Sequence, residues 1–305
     1  MIMGKCIVHY GGQAVMEGVM MRGKDVAVTA VRNPMGKIVI RSQKLARIYT
    51  GRLRRTPFIR GVIVLIESLV LGLSSLSWSA NVALEEEGTD GEPKSEISSA
   101  WTWVIMAVSF ILGIALFFVL PLLLTNFLDS VIESSILFHL VEGIIRLAIF
   151  LLYLKIISTM SDIRRVFSYH GAEHKTINAY EHGEPLKAEF IQKYSTAHAR
   201  CGTAFLLSVM ILAILVFSLV GKQVLWIMII TRILLLPVIA ALGYEITQLC
   251  SRHMSNPLAR IVIAPGMWLQ SLTTGQPDDG QVEVAVAALE EVIRQENGPA
   301  VSEKV

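Results

Sequence analysis

The stretch WTWVIMAVSFILGIALFFVLPLLL, residues 101–124, carries no Asp, Glu, Lys or Arg in twenty-four positions. A helix of that length is about 36 Å long, enough to cross a hydrocarbon layer of about 30 Å. Trp101 and Trp103 at its start suit a bilayer interface, and Pro121 should bend or end it. This run sets the expected fold class: mainly α, polytopic, a membrane protein of about four transmembrane helices.

The other expected spans are Ile136–Ile157, Phe205–Val220 and Val224–Tyr244. The second contains His139, Glu142, Arg146 and Lys155. Glu142 and Arg146 are four residues apart and can pair on one helix face, inside the bundle or along a polar cavity. The fourth carries Arg232 near its middle and Pro237 as an expected kink. The composition agrees: 53% hydrophobic, 17% charged and a mean hydropathy of +0.57 are too apolar for an ordinary soluble domain.

The net charge of +2 is unevenly spread, because residues 1–60 hold twelve Lys/Arg against Glu17 and Asp25. This region reads as a basic, glycine-rich N-terminal domain. Gly11, Gly12, Gly18 and Gly23 punctuate its first part as turns or close backbone approaches, and Val26–Val31 and Lys37–Arg41, joined at Asn33-Pro34-Met35-Gly36, form an expected β-hairpin. Glu17 and Arg22 are either surface charges or part of a loop folded over the motif described below. The basic run Lys44–Arg60 reads as a juxtamembrane segment held by anionic headgroups, in preference to a nucleic-acid site.

Residues 61–84 are apolar but carry Glu67, five serines and Asn81, and are expected to form an interfacial or re-entrant helix. Residues 85–100 form an acidic linker, and residues 101–248 the four-helix membrane domain with a polar loop at 158–203. Residues 249–305 comprise an interfacial segment, an amphipathic helix over Val282–Arg294 and a disordered tail. Residues 1–60 and 158–203 are both basic, so both are expected in the cytoplasm, which requires an even number of spans between them. Cys6, Cys201 and Cys250 are scattered and give no disulfide framework, and Met1–Tyr10 lacks the apolar run of a signal peptide.

The polar loop holds the chemistry. Tyr169-His170-Gly171-Ala172-Glu173-His174-Lys175 contains H-x-x-E-H, which on a helix sets His170 and His174 one turn apart on one face. Two imidazoles at that spacing can share a metal ion, and Glu173 beside them can act as a general base; inverted zincins use the same order. His198-Ala199-Arg200-Cys201 adds an imidazole and a thiol. The candidate set is His170, His174, His198 and Cys201 around a divalent metal, Zn²⁺ by donor type, with Glu173 as the catalytic residue. Four ligands would make a closed structural site; three would leave one position open. Glu245 is a further candidate ligand. Without a metal, the histidines would cap, hydrogen-bond or line the interface.

The chain resembles the YqhQ family of bacterial membrane proteins, a domain-of-unknown-function group. Three stretches carry the resemblance: Gly11–Gly23, Tyr169–Glu181 and His198–Thr203. It implies a multi-pass protein of the cell membrane and a metal-dependent enzyme.

The leading functional expectation is a metal-dependent hydrolase acting at the cytoplasmic face on a membrane-embedded substrate. The alternative is a non-enzymatic assembly or regulatory factor with a membrane-protein partner. A transporter built on Glu142, Arg146 and Arg232 ranks last, because four spans enclose a pore only if the chain oligomerises.

Overall fold

The structure, a computed structural model, describes residues 10–84 and 99–297. The expected acidic linker over Glu85–Glu96, the last residues of the tail, and Cys6 lie outside them.

Four antiparallel strands open the chain: β1 (Gly11–Val15), β2 (Gly18–Arg22), β3 (Val26–Arg32) and β4 (Ile38–Lys44), in the order β1-β2-β3-β4. The expected hairpin is β3–β4, with Arg32 opposite Ile38. The glycine-rich segment forms a second hairpin where the sequence suggested turns. Gly18 explains this: it pairs with Val31, and a Cβ there would meet Val31 Cα at 2.9 Å. The glycine thus serves close strand approach within the sheet.

Short turns α1 (Arg47–Thr50) and a 3₁₀ segment (Arg52–Arg55) lead into α2 (Ile59–Ala83). There follow α3 (Ser99–Ile114), a π-helical segment (Ala115–Val119), α4 (Leu120–Asn126), α5 (Ser135–Ile157), α6 (Ser161–Glu181), α7 (Ala188–Ile191), α8 (Gly202–Val220), α9 (Leu225–Arg252), α10 (Pro257–Thr273) and α11 (Asp279–Asn297). Pro121 does not end its helix. It opens α4 directly after the π segment, where its missing N–H is tolerated. Pro237 lies inside a continuous α9.

Among the described residues, four helical segments are long and apolar enough to cross a membrane: Ile59–Ala83, Val104–Asn126, Gly202–Val220 and Leu225–Arg252. The protein is therefore mainly helical and membrane-type, with a small N-terminal sheet. The set differs from the sequence expectation in one member. It includes α2, whereas α5, expected as a span, carries a charge cluster. In that cluster Glu142 accepts from Arg146 at 2.5 Å and from Arg232 Nε at 2.8 Å, and His139 Nδ1 is 3.2 Å away. Arg146 Nε donates to Phe117 O at 3.0 Å, a carbonyl in the π segment. The bulge thus supplies an acceptor to a buried guanidinium.

The polar elements form a separate layer. Strands β2 and β3, α6 and α11 share one core, built on Val19, Val28, Tyr169, Ile177, Ala285, Leu289 and Val292. The apolar face of α11 is the amphipathic stripe expected over Val282–Arg294, and it packs on the sheet and on α6. N-terminal sheet, motif helix and C-terminal helix therefore form a single unit, although they are far apart in sequence.

Candidate metal centre

The motif lies within α6, so one helical turn separates His170 from His174 and brings their ring centroids to 4.4 Å. His170 Nδ1 is 2.9 Å from Thr273 O, and His174 Nδ1 is 2.6 Å from Thr196 O. A carbonyl oxygen only accepts, so each Nδ1 carries a proton, and in the neutral ring that leaves the Nε2 lone pair for a ligand. His170 Nε2 stands 3.3 Å from Cys201 Sγ. One ring nitrogen of each histidine and Cys201 Sγ all lie within 4.8 Å of one another.

Cys201 is the N-cap of α8, and its sulfur accepts the Thr203 N–H at 3.4 Å. The thiol is thus fixed at the start of a membrane-type helix. In a tetrahedral Zn²⁺ site, nitrogen and sulfur ligands stand about 3.5 Å apart. The donors here fit that group in type, the His170–Cys201 separation of 3.3 Å fits its spacing, and backbone carbonyls on the distal histidine nitrogens are the usual outer support of such ligands.

His198 takes a different place. Its ring centroid is 5.7 Å from that of His174, but its Nε2 lies 3.5 Å from Glu181 Oε2. Its backbone is clamped by Gln270, which accepts the His198 N–H at 2.8 Å and donates to His198 O at 3.0 Å. Arg200 also pairs with Glu181. Burial pushes the Glu181 carboxyl up, but His198 and Arg200 outweigh it and hold it at about 2. His198 therefore shores up the loop beside the cluster of three.

Glu173 is buried, with Oε2 unpartnered, and faces β1. Burial pushes its carboxyl up to about 7, against the opposing pull of His170 and a hydrogen bond from the Gly12 backbone. Burial likewise lowers His174, against contacts with Cys201 and Thr196 O. A Cβ at Gly12 would stand 2.5 Å from Met20 O and 3.0 Å from Glu173 Cδ. The glycine-rich strand thus does lie over the motif, and its glycine makes room for the carboxyl.

The remaining candidates lie elsewhere. Glu17 pairs with Arg165 at 2.6 Å and lies 3.4 Å from the Tyr169 hydroxyl, which ties the β1–β2 turn to α6. Arg22 donates to Glu67 on α2 at 2.9 and 3.0 Å, so it clamps the sheet to that helix. Glu245 accepts from Arg60 at 2.7 Å and from the Phe58 N–H at 2.9 Å, which engages it at the α2–α9 contact. Glu142 and Arg146 belong to the separate cluster in α5.

Sequence reasoning missed Thr196, Thr273 and Gln270. The two threonines act through backbone carbonyls, which side-chain identity does not reveal. Gln270 left a signal, as a polar residue inside the apolar run Trp268–Leu272 that faces inward.

Fold and site together define a class: a helical membrane-type protein with a His/His/Cys cluster where its polar layer meets α8. The chain belongs to a family described as "Protein of unknown function (DUF1385)", which matches residues 56–295. It is 36% identical over 297 residues to "Uncharacterized protein YqhQ" of Bacillus subtilis (strain 168), covering 94% of this chain and 93% of the relative. No solved structure matches it.

Proposed function

We propose that His170, His174 and Cys201 hold a divalent metal, Zn²⁺ by donor type, at the boundary between the polar layer and the membrane helices. The observation that carries the reading is the cluster of one ring nitrogen from each histidine with Cys201 Sγ, all within 4.8 Å of one another, while the Nδ1 atoms are engaged by Thr273 O and Thr196 O. Three ligands leave a coordination position for a substrate. When bound, Zn²⁺ supplies Lewis-acid polarisation of a carbonyl or phosphoryl oxygen. Glu173, next to His174 in the chain and with Oε2 unpartnered, is the residue that takes and returns a proton. The function is then metal-dependent hydrolysis of a substrate presented by the membrane, since Cys201 caps a membrane-type helix.

A second reading draws on the burial of His174, Cys201 and Glu173. A metal there would pin α6, the 196–201 loop and α8 together, in a protein that assists a membrane-protein partner.

Cobalt substitution tests the ligand set. Co²⁺-loaded protein is expected to show a thiolate-to-cobalt charge-transfer band that disappears in Cys201→Ser and persists in Glu173→Gln. A band unchanged in Cys201→Ser overturns the site. Metal-dependent hydrolysis lost in Glu173→Gln selects the enzyme; a metal-loaded protein with no turnover selects the structural reading.

A further inference from the structure

We propose that α2 lies in the plane of the membrane interface and docks its exposed apolar face into the bilayer, instead of crossing it. By length and composition alone α2 is a candidate span. Its partners argue otherwise. The inward stripe Ile63, Glu67, Leu71, Ser75, Ser79 and Val82 repeats every three or four residues, on one helix face. From Glu67 onward that stripe meets the β-sheet. Glu67 binds Arg22, Leu71 packs with Met20 and Ala27, Ser75 Oγ lies 3.0 Å from Thr29 Oγ1, and Val82 packs with Val15 and Val31. A crossing α2 would carry this sheet into hydrocarbon with it. The edge strand β4, with Arg41 and Lys44 exposed on it, forbids that.

The opposite face is apolar and exposed: Ile66 49%, Leu69 51%, Val70 50%, Leu73 40% and Leu76 43%. Two observations assign the bilayer as its occupant. The helix begins against the membrane helix α9, where a Cβ on Gly61 would stand 2.8 Å from Ala241 Cα, so its apolar face continues the lipid-facing surface of the bundle. Arg47 and Arg52, both exposed, lie at the same end, where anionic headgroups complement them. Four crossings then remain, by α3–α4, α8, α9 and the 23-residue α5, whose Glu142 and Arg146 are paired inside the bundle and so do not bar it from crossing. This count returns the chain to the same side at α6 and again at α11, as their shared core with the sheet demands.

Depth measurement decides. Single spin labels at Ile66→Cys, Leu69→Cys, Leu73→Cys and Leu76→Cys go into the full chain, in a Cys6→Ser/Cys250→Ser background with buried Cys201 retained. The protein is reconstituted in vesicles containing anionic lipid. Accessibility to oxygen and to a water-soluble relaxing agent gives each label's depth. The expected result is lipid exposure of all four at depths within about 5 Å of one another. Along a crossing helix, Ile66 and Leu76 would differ by about 15 Å. Such a gradient overturns the proposal. Labels open to water, or shielded from both agents by a protein partner or a second copy, also overturn it.

Discussion

His170 Nε2 stands 3.3 Å from Cys201 Sγ, across thirty-one residues of sequence. Nothing local holds that distance. The His170 ring is oriented by Thr273 O at the end of α10, and the sulfur by the first turn of α8. Its neighbour His174 is oriented by Thr196 O from the intervening loop. The cluster thus depends on three segments that only the folded protein brings together.

Gln270 should matter more than its distance from the motif in sequence suggests. It is fully buried and satisfies both backbone groups of His198. Gln270→Ala leaves both groups unpaired, at about 1–3 kcal/mol each. Thermal unfolding in detergent should show a loss of about 2–6 kcal/mol together with weaker metal retention. A variant as stable as the parent would show that Gln270 does not clamp the loop.

Two adjacent glycines should behave oppositely. A Cβ at Gly11 meets nothing within 4 Å, whereas one at Gly12 meets Met20 O at 2.5 Å and the Glu173 carboxyl. Gly11→Ala is expected to stay within about 0.5 kcal/mol of the parent, and Gly12→Ala to lose about 1–3 kcal/mol. Equal melting temperatures for the two variants contradict the placement of β1 over α6.

Glu142 is the carboxylate that Arg146 and Arg232 share in their buried cluster. Glu142→Gln strands two guanidinium groups among apolar side chains, and removing one partner of a buried ion pair costs about 3–5 kcal/mol. Unfolding midpoints in detergent should fall sharply while metal content per folded molecule stays the same. Loss of metal without loss of stability would join the two sites and contradict their separation.

Glu245→Gln separates the metal centre from the α2–α9 contact. Because Glu245 is held by Arg60 and the Phe58 N–H, the variant is expected to keep its metal in full. Its effect should be confined to the start of α2, read as faster hydrogen exchange there. Metal loss would make Glu245 a ligand.

Much of this architecture is legible in the sequence because hydrophobic burial writes periodic patterns. The charge-free run from Trp101 to Leu124, the alternation of Val26–Val31 and the stripe of α11 each announce their element. The motif was legible for the same kind of reason, since i,i+4 spacing on a helix is fixed by geometry. Glu245 and His198 were open candidates because residue type does not say which partner wins. Arg60 holds the one, and Glu181 faces the other. The second hairpin was hidden because glycine signals a turn and a close strand approach alike, and only the partner strand at Gly18 decides between them.

Whether His170, His174 and Cys201 form one metal site is decided by elemental analysis of the purified protein. About one zinc per chain is expected in the parent and none in a folded His170→Ala/His174→Ala variant. A parent that binds no divalent metal when zinc is supplied, or a variant that keeps its full complement, would contradict it.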